Sequence, residues 1–144
     1  MTSDEEELNR LSVRAQILQQ QGQALQGQLE AMQQSIADLN TTIETLENLS
    51  KVKDDSRLPI GSGVYLACQK VDASQVFVSV GAGLIVAKKP ADAEALLRKR
   101  LASINGAFEN AQRNMVALNK QLDDINNTAS ALASRIEDVR PSEG

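Results

Sequence analysis

Chemistry in a chain of 144 residues usually announces itself through histidines, grouped acids, a reactive thiol or a phosphate-cradling loop. This sequence has no His, so neither imidazole acid–base catalysis nor a His-ligated metal is open to it. Its single cysteine, Cys68, lies inside an apolar run and reads as a small packing residue rather than a nucleophile. Asp54-Asp55 and Asp123-Asp124 are paired aspartates. The first falls in a polar connector and the second on a helix surface, where carboxylates stay solvated. Gly61-Ser62-Gly63 and Gly81-Ala82-Gly83 lack the Lys-Ser/Thr that a nucleotide phosphate requires, and both read as tight turns. The expectation is a protein with no catalytic residue, no metal and no cofactor, and therefore not an enzyme.

Those turns belong to the stretch around which the rest is arranged, LPIGSGVYLACQKVDASQVFVSVGAGLIVA from Leu58 to Ala87. Short apolar runs bounded by Gly or by Asp and Ser mark two β-hairpins. Strands are expected at Leu58–Ile60, Val64–Val71, Gln75–Val80 and Leu84–Ala87, with a loop at Asp72-Ala73-Ser74. Pro59 confines the first strand to an edge or a strand start. The strands are apolar on both faces, with Val76, Val78 and Val80 opposed by Phe77, and Leu84 and Val86 by Ile85. Strands of that kind belong in sheets covered on both sides. Two hairpins are too little sheet to stand alone. Pairing with strands of other chains is the favoured reading; a sheet capped by the chain's own helices is the alternative.

On either side lies a polar arm with helical periodicity. Leu8, Leu11, Ala15, Leu18, Gly22, Leu25, Leu29, Met32, Ile36, Leu39, Ile43 and Leu46 form one seam. Leu97, Leu101, Ile104, Phe108, Ala111, Met115, Leu118, Leu122, Ile125, Ala129, Leu132, Ile136 and Val139 form the other. Both alternate steps of three and four, the period of a left-handed coiled coil. Ser3 is placed to cap the first helix, Pro90 to open the second, and Pro141 and Gly144 to end it. The two seams match in length at roughly 65 Å each, so the chain is expected to fold back with its helices antiparallel and its termini together. Aligning Leu8 with Val139 would set Ala15 against Leu132, Leu18 against Ala129, Gly22 against Ile125, Ile36 against Ala111 and Met32 against Met115. The fold class is α+β, one domain over 1–144, with coiled-coil helices at 1–50 and 90–140 and the hairpins at 58–87.

Composition narrows the partners. A net charge of −4 and a pI near 4.9 argue against general nucleic-acid binding. No apolar run approaches the roughly 18 residues of a membrane span, and the N-terminus is acidic rather than signal-like. A lone cysteine suits a reducing cytoplasm.

The hairpin segment carries a family resemblance. Leu58-Pro59-Ile60-Gly61-Ser62-Gly63-Val64 and Val78-Ser79-Val80-Gly81-Ala82-Gly83, followed by Lys88 and flanked by the two seams, resemble the α-type, archaeal-like subunits of the prefoldin family. Two hairpins rather than one point to the α class. The resemblance implies a cytoplasmic chaperone that binds unfolded proteins without ATP and passes them to a group II chaperonin. It implies a hexamer of two α-type and four β-type subunits, joined through β-barrels into a platform. The interface would then comprise Val64, Leu66, Val76, Val78, Val80, Leu84 and Val86. Clients would meet the distal tips: Val13 and Ile17, apolar but off the seam, with Leu8, Leu11, Ile136 and Val139 where the coiled coil frays. No membrane and no nucleic acid is involved in this reading. A structural coiled-coil tether, oligomerised through its hairpins, is the alternative.

Overall fold

A computed structural model describes residues 2–52 and 55–139. The elements run α1 (Ser3–Glu47), a short 3-10 turn (Leu49–Lys51), β1 (Ser56–Gly61), β2 (Val64–Cys68), β3 (Val76–Gly81), β4 (Leu84–Lys88) and α2 (Pro90–Val139). Asp54, Pro141 and Gly144, to which the sequence reading assigned roles, lie outside the described residues. The chain divides into two compact units, one of Met1–Gln33 with Gly106–Gly144 and the other of Gln34–Asn105.

The first unit pairs the N-terminal part of α1 with the C-terminal part of α2. The helix start uses Thr2, not the expected Ser3. Glu5 N donates to Thr2 Oγ1 at 3.2 Å while Thr2 N donates to Glu5 Oε2 at 3.1 Å, a reciprocal capping box. Arg135 on α2 clasps Asp4 on α1, with Nη2 on Oδ1 at 2.7 Å and Nε on Oδ2 at 3.0 Å. The termini therefore meet antiparallel, as the seams imply.

The register differs from the expected one. A Cβ built on Gly22 would lie 3.3 Å from Leu118 Cδ2, so Gly22 faces Leu118, one heptad along α2 from Ile125. Heptad steps from that contact put Ala15 opposite Ile125 and Leu29 opposite Ala111. Ile125, Leu29 and Ala111 are all buried. The expected pairs Gly22–Ile125, Ala15–Leu132, Leu18–Ala129 and Met32–Met115 are replaced, and Ala111 meets Leu29 instead of Ile36. Large still faces small, which is how facing layers interdigitate; only the partners change. Two equal heptad seams match themselves again after a slide of one heptad, so spacing alone leaves the register open. Val139, expected against Leu8, is 76% exposed.

The second unit holds the other half of each helix and the hairpins. Ile43, Ala93 and Leu97 are buried, and Arg98 joins Glu47 across the helices and Glu94 along α2. Asn48 closes α1 by giving its side-chain amide to the Glu44 carbonyl at 2.9 Å. Pro90 opens α2 as expected. β1 pairs with β2 and β3 with β4, each antiparallel, as separate two-stranded sheets. β1 begins earlier than expected and β2 stops at Cys68 instead of Val71. Beyond it an Asx turn takes over, with Ser74 N on Asp72 Oδ1 at 2.9 Å.

The two hairpins are copies. Ser56↔Cys68, Arg57↔Ala67, Leu58↔Leu66, Pro59↔Tyr65 and Gly61↔Val64 recur twenty residues later as Val76↔Lys88, Phe77↔Ala87, Val78↔Val86, Ser79↔Ile85 and Gly81↔Leu84. Each first strand has its register shift at the same place. Each turn holds two residues of positive φ, Ser62 (49°) with Gly63 (76°) and Ala82 (51°) with Gly83 (73°). That is the type I′ geometry whose twist matches the strands it joins. The expected Gly-led turns are thus two-residue turns, with Gly61 and Gly81 ending the strands before them.

The register is directly testable. In a Cys68→Ser background, Ala15→Cys with Ile125→Cys should form an intramolecular disulfide efficiently under mild oxidant. Ala15→Cys with Leu132→Cys should remain reduced. The reverse pattern on a non-reducing gel would restore the alignment through Leu8 and Val139.

Candidate functional site

Two surfaces carry the residues singled out by sequence. The first is the hairpin pair. Cross-strand pairing places Leu58 with Leu66 and Val78 with Val86, and the alternation of strands carries Val64 to the face of Leu66, Val76 to that of Val78 and Leu84 to that of Val86. Six of the seven expected interface residues therefore share one face of their hairpin. Val80 stands in the register shift between Ser79 and Gly81. The helices do not cover these faces: Leu66 is 55% and Leu84 62% exposed. Val76 and Val78 are half-buried. The capped-sheet alternative requires burial that the chain does not supply.

The opposite faces are open as well. Tyr65, Phe77 and Ile85 are each more than half exposed. Leu58 and Ile60, which the sequence reading left out of the interface, are also exposed; their apolar type and strand position were signal enough. Cys68 is half-buried and its thiol donates to the Lys70 carbonyl at 3.3 Å, a packing role. The Ser74 hydroxyl and N–H on Asp72 hold that carboxyl below its ordinary range, which fixes the loop between the hairpins.

One contact ties a helix to a hairpin. Arg100 on α2 reaches the Ser79 carbonyl on β3, Nη2 to O at 3.2 Å. The same arginine borders an open groove of about 560 Å³ with Asp38, Leu39, Lys99 and Ile104. No sequence signal reports this contact, because Arg100 simply flanks the seam on a polar position.

The second surface belongs to the other unit. Val13 and Ile17 are about half exposed, and Val139 more so. Leu8, Leu11 and Ile136 are half-buried, so they are shared between the helix pair and solvent. Val116, off the seam like Val13 and Ile17, is 70% exposed and would have been found by the same criterion. Among the described residues no cluster of His, Cys, Asp or Glu could hold a metal, and no helix is long and apolar enough to cross a membrane.

Two open β-hairpins between antiparallel heptad helices define the class of fold. The chain belongs to the prefoldin family: residues 18–135 match the family model for a prefoldin subunit. It is 34% identical over 128 residues to the prefoldin subunit alpha of Pyrococcus horikoshii, covering 87% of this chain and 86% of that one. Over 103 residues it is 36% identical to prefoldin subunit alpha 1 of Thermococcus kodakarensis, 70% of each chain. A chain of the filamentous PFD from Methanocaldococcus jannaschii shares the fold, with a TM-score of 0.65 at 19% identity over 81% of this chain and 96% of that one. The protein is thus a chaperone subunit of a non-enzymatic family, one that assembles with other prefoldin subunits.

The Asp4–Arg135 clasp fixes how the helix ends are held. The Arg135 hydrogen bonds lower the Asp4 pKa. A carboxylate with a depressed folded pKa contributes above its unfolded value, near 3.9, and that contribution is lost as pH falls through the lower folded value. Asp4→Asn should speed amide hydrogen exchange in residues 131–139 at neutral pH and leave that of the hairpins unchanged. Acid below about pH 4 should lower the protection of the same amides in the parent chain, measured against the intrinsic exchange rate at that pH. Equal exchange in parent and variant would show that the clasp holds nothing.

Proposed function

We propose that this chain is the α-type subunit of a cytoplasmic prefoldin hexamer, two α-type chains with four β-type, which holds unfolded proteins without ATP and delivers them to a group II chaperonin. The observation that carries the reading is the exposed apolar face of each hairpin in a chain of this family. Such a face is stable in water only when another chain covers it. Val64, Leu66, Val76, Val78, Val80, Leu84 and Val86 then line β-barrels shared between subunits, with Leu58 and Ile60 beside them. Each such side chain stabilises the assembly by roughly 1.5–3 kcal/mol when buried.

Client holding falls to the helix ends remote in sequence from the hairpins. Val13, Ile17 and Val139 offer apolar surface there, and Leu8, Leu11 and Ile136 are only partly used by the helix pair. Single contacts of this kind are weak. Several arms engaging one client add through effective concentration.

Two variants separate platform from tip. Val78→Asp should release subunits while far-UV circular dichroism of the helices is unchanged. Val13→Ser with Ile17→Ser should keep the hexamer, read by native mass measurement with a β-type partner, and should let a denatured client aggregate several-fold faster. A double variant that protects the client as well as the parent would move the client site off the tips. A complex that assembles yet never delays aggregation would make the chain a tether.

A further inference from the structure

Coiled-coil helices commonly line the flanks of their seam with Glu and Lys, whose ion pairs select partner and orientation. One flank of the first unit does not. On α1 the run from Gln21 to Gln28 reads QGQALQGQ, and on α2 the run from Asn114 to Gln121 reads NMVALNKQ. Both have the order amide, Ala, Leu, amide at the same spacing. The helices run antiparallel and Gly22 faces Leu118, so the two runs lie side by side in opposite directions. Between them is an open groove of about 450 Å³. Leu18, Leu25 and Leu118 line it from the seams. Four carboxamides stand along it, Gln21, Gln28, Asn114 and Gln121, and Ala24 and Ala117 between them keep its walls low. No charged residue lines this part. A second groove of about 230 Å³ shares Gln121 and is lined in addition by Arg14 and Asp124.

The four carboxamides are exposed, and among the described residues none has a hydrogen-bond partner within the chain. Gln26 and Gln34, by contrast, give their side-chain amides to Glu30 and Asp38. A carboxamide offers donor and acceptor together and carries no charge. A peptide unit offers the same pair. Folded proteins use up their peptide units in their own secondary structure, whereas an unfolded segment still has them to give. The spacing agrees with such an occupant. Gln21 and Gln28, like Asn114 and Gln121, stand one heptad apart, roughly 10.5 Å. Three residues of extended chain cover roughly 10 Å.

We infer that this groove is a second polypeptide site, which takes a short, extended, uncharged segment of a client by its main chain and in either direction. The inference rests on the proposed client holding and adds to the tips a site of different chemistry. The tips offer apolar side chains. The groove sets carboxamides against peptide groups, with leucines beneath for an apolar side chain of the segment. A segment running along α1 and one running against it meet the same order of amide, alanine and leucine, so chain direction carries no penalty. A lining without charge repels neither acidic nor basic residues that flank the bound segment.

The test is a titration of the full chain, assembled with a β-type prefoldin subunit, against a fluorescein-labelled peptide read by anisotropy. The peptide has about eight residues, alternates Leu with Asn and has both ends blocked. Its reversed sequence should bind with the same Kd to within about twofold, and an analogue with alternate amides replaced by esters should bind roughly tenfold more weakly. Ala24→Leu with Ala117→Leu fills the groove with good helix formers and should weaken the amide peptide roughly tenfold. Gln21→Glu with Gln121→Glu should weaken it several-fold, and Val13→Ser with Ile17→Ser should leave it unchanged. If the filled variant loses helix by far-UV circular dichroism, the comparison of amide with ester on the parent decides. Three results overturn the groove and leave client holding at the tips in place: equal binding of amide and ester, unchanged affinity in the filled variant, or loss of the peptide only in the tip variant. A bound peptide that turns helical in transferred nuclear Overhauser spectra overturns the extended occupant. A complex that neither binds the peptide nor delays client aggregation overturns both site and holding.

Discussion

Four short strands carry more apolar surface than their own chain can cover, and most of the molecule answers to that shortage. The α-helices bury their seams against each other: Leu18, Leu29, Ala111 and Ile125 in one unit, Ile43, Ala93 and Leu97 in the other. Once those faces are used, little apolar helix surface is left for the hairpins. Leu58, Val64, Leu66 and Leu84 remain open to water, each an unmet demand for burial. Assembly with other prefoldin subunits offers those side chains a cover that their own chain does not supply.

The elements were legible in the sequence because each has a local cause. Periods of 3.5 mark the helices, Gly and Asp-x-Ser mark the turns, and the apolar runs between them mark strands. Pro90 and the Gly63 and Gly83 turns stand where local rules put them. The cap lies at Thr2, one residue before Ser3, and the box pattern does not choose between them, since each has a glutamate three residues on, Glu5 and Glu6.

What escaped was set by contacts across the chain. Spacing does not fix the coiled-coil register, because a heptad seam looks the same to its partner after a slide of seven residues, and matching the ends, Leu8 to Val139, selects the wrong alignment. The actual key is a notch, Gly22 admitting Leu118, together with the Asp4–Arg135 clasp. Neither can be read from spacing, because a glycine in a seam and an arginine on a polar face each suit several registers. Val13 and Ile17, proposed above to meet clients, are legible in the sequence as apolar positions off the seam, and both are about half exposed. Arg100 was invisible, since its partner is a backbone carbonyl twenty-one residues earlier and backbone atoms have no sequence signature.

The duplication of the hairpins bears on how chains of this kind change length. Pairing, register shift and turn recur with an offset of twenty residues. Cutting after Ser56 and rejoining at Phe77 would therefore yield one complete hairpin with every cross-strand neighbour in place, its turn intact, and the same exit into α2. Unequal exchange between the two copies removes or adds a whole hairpin without shifting the face of a single side chain. A chain with one such hairpin and a chain with two thus differ by one whole repeat of the pairing pattern.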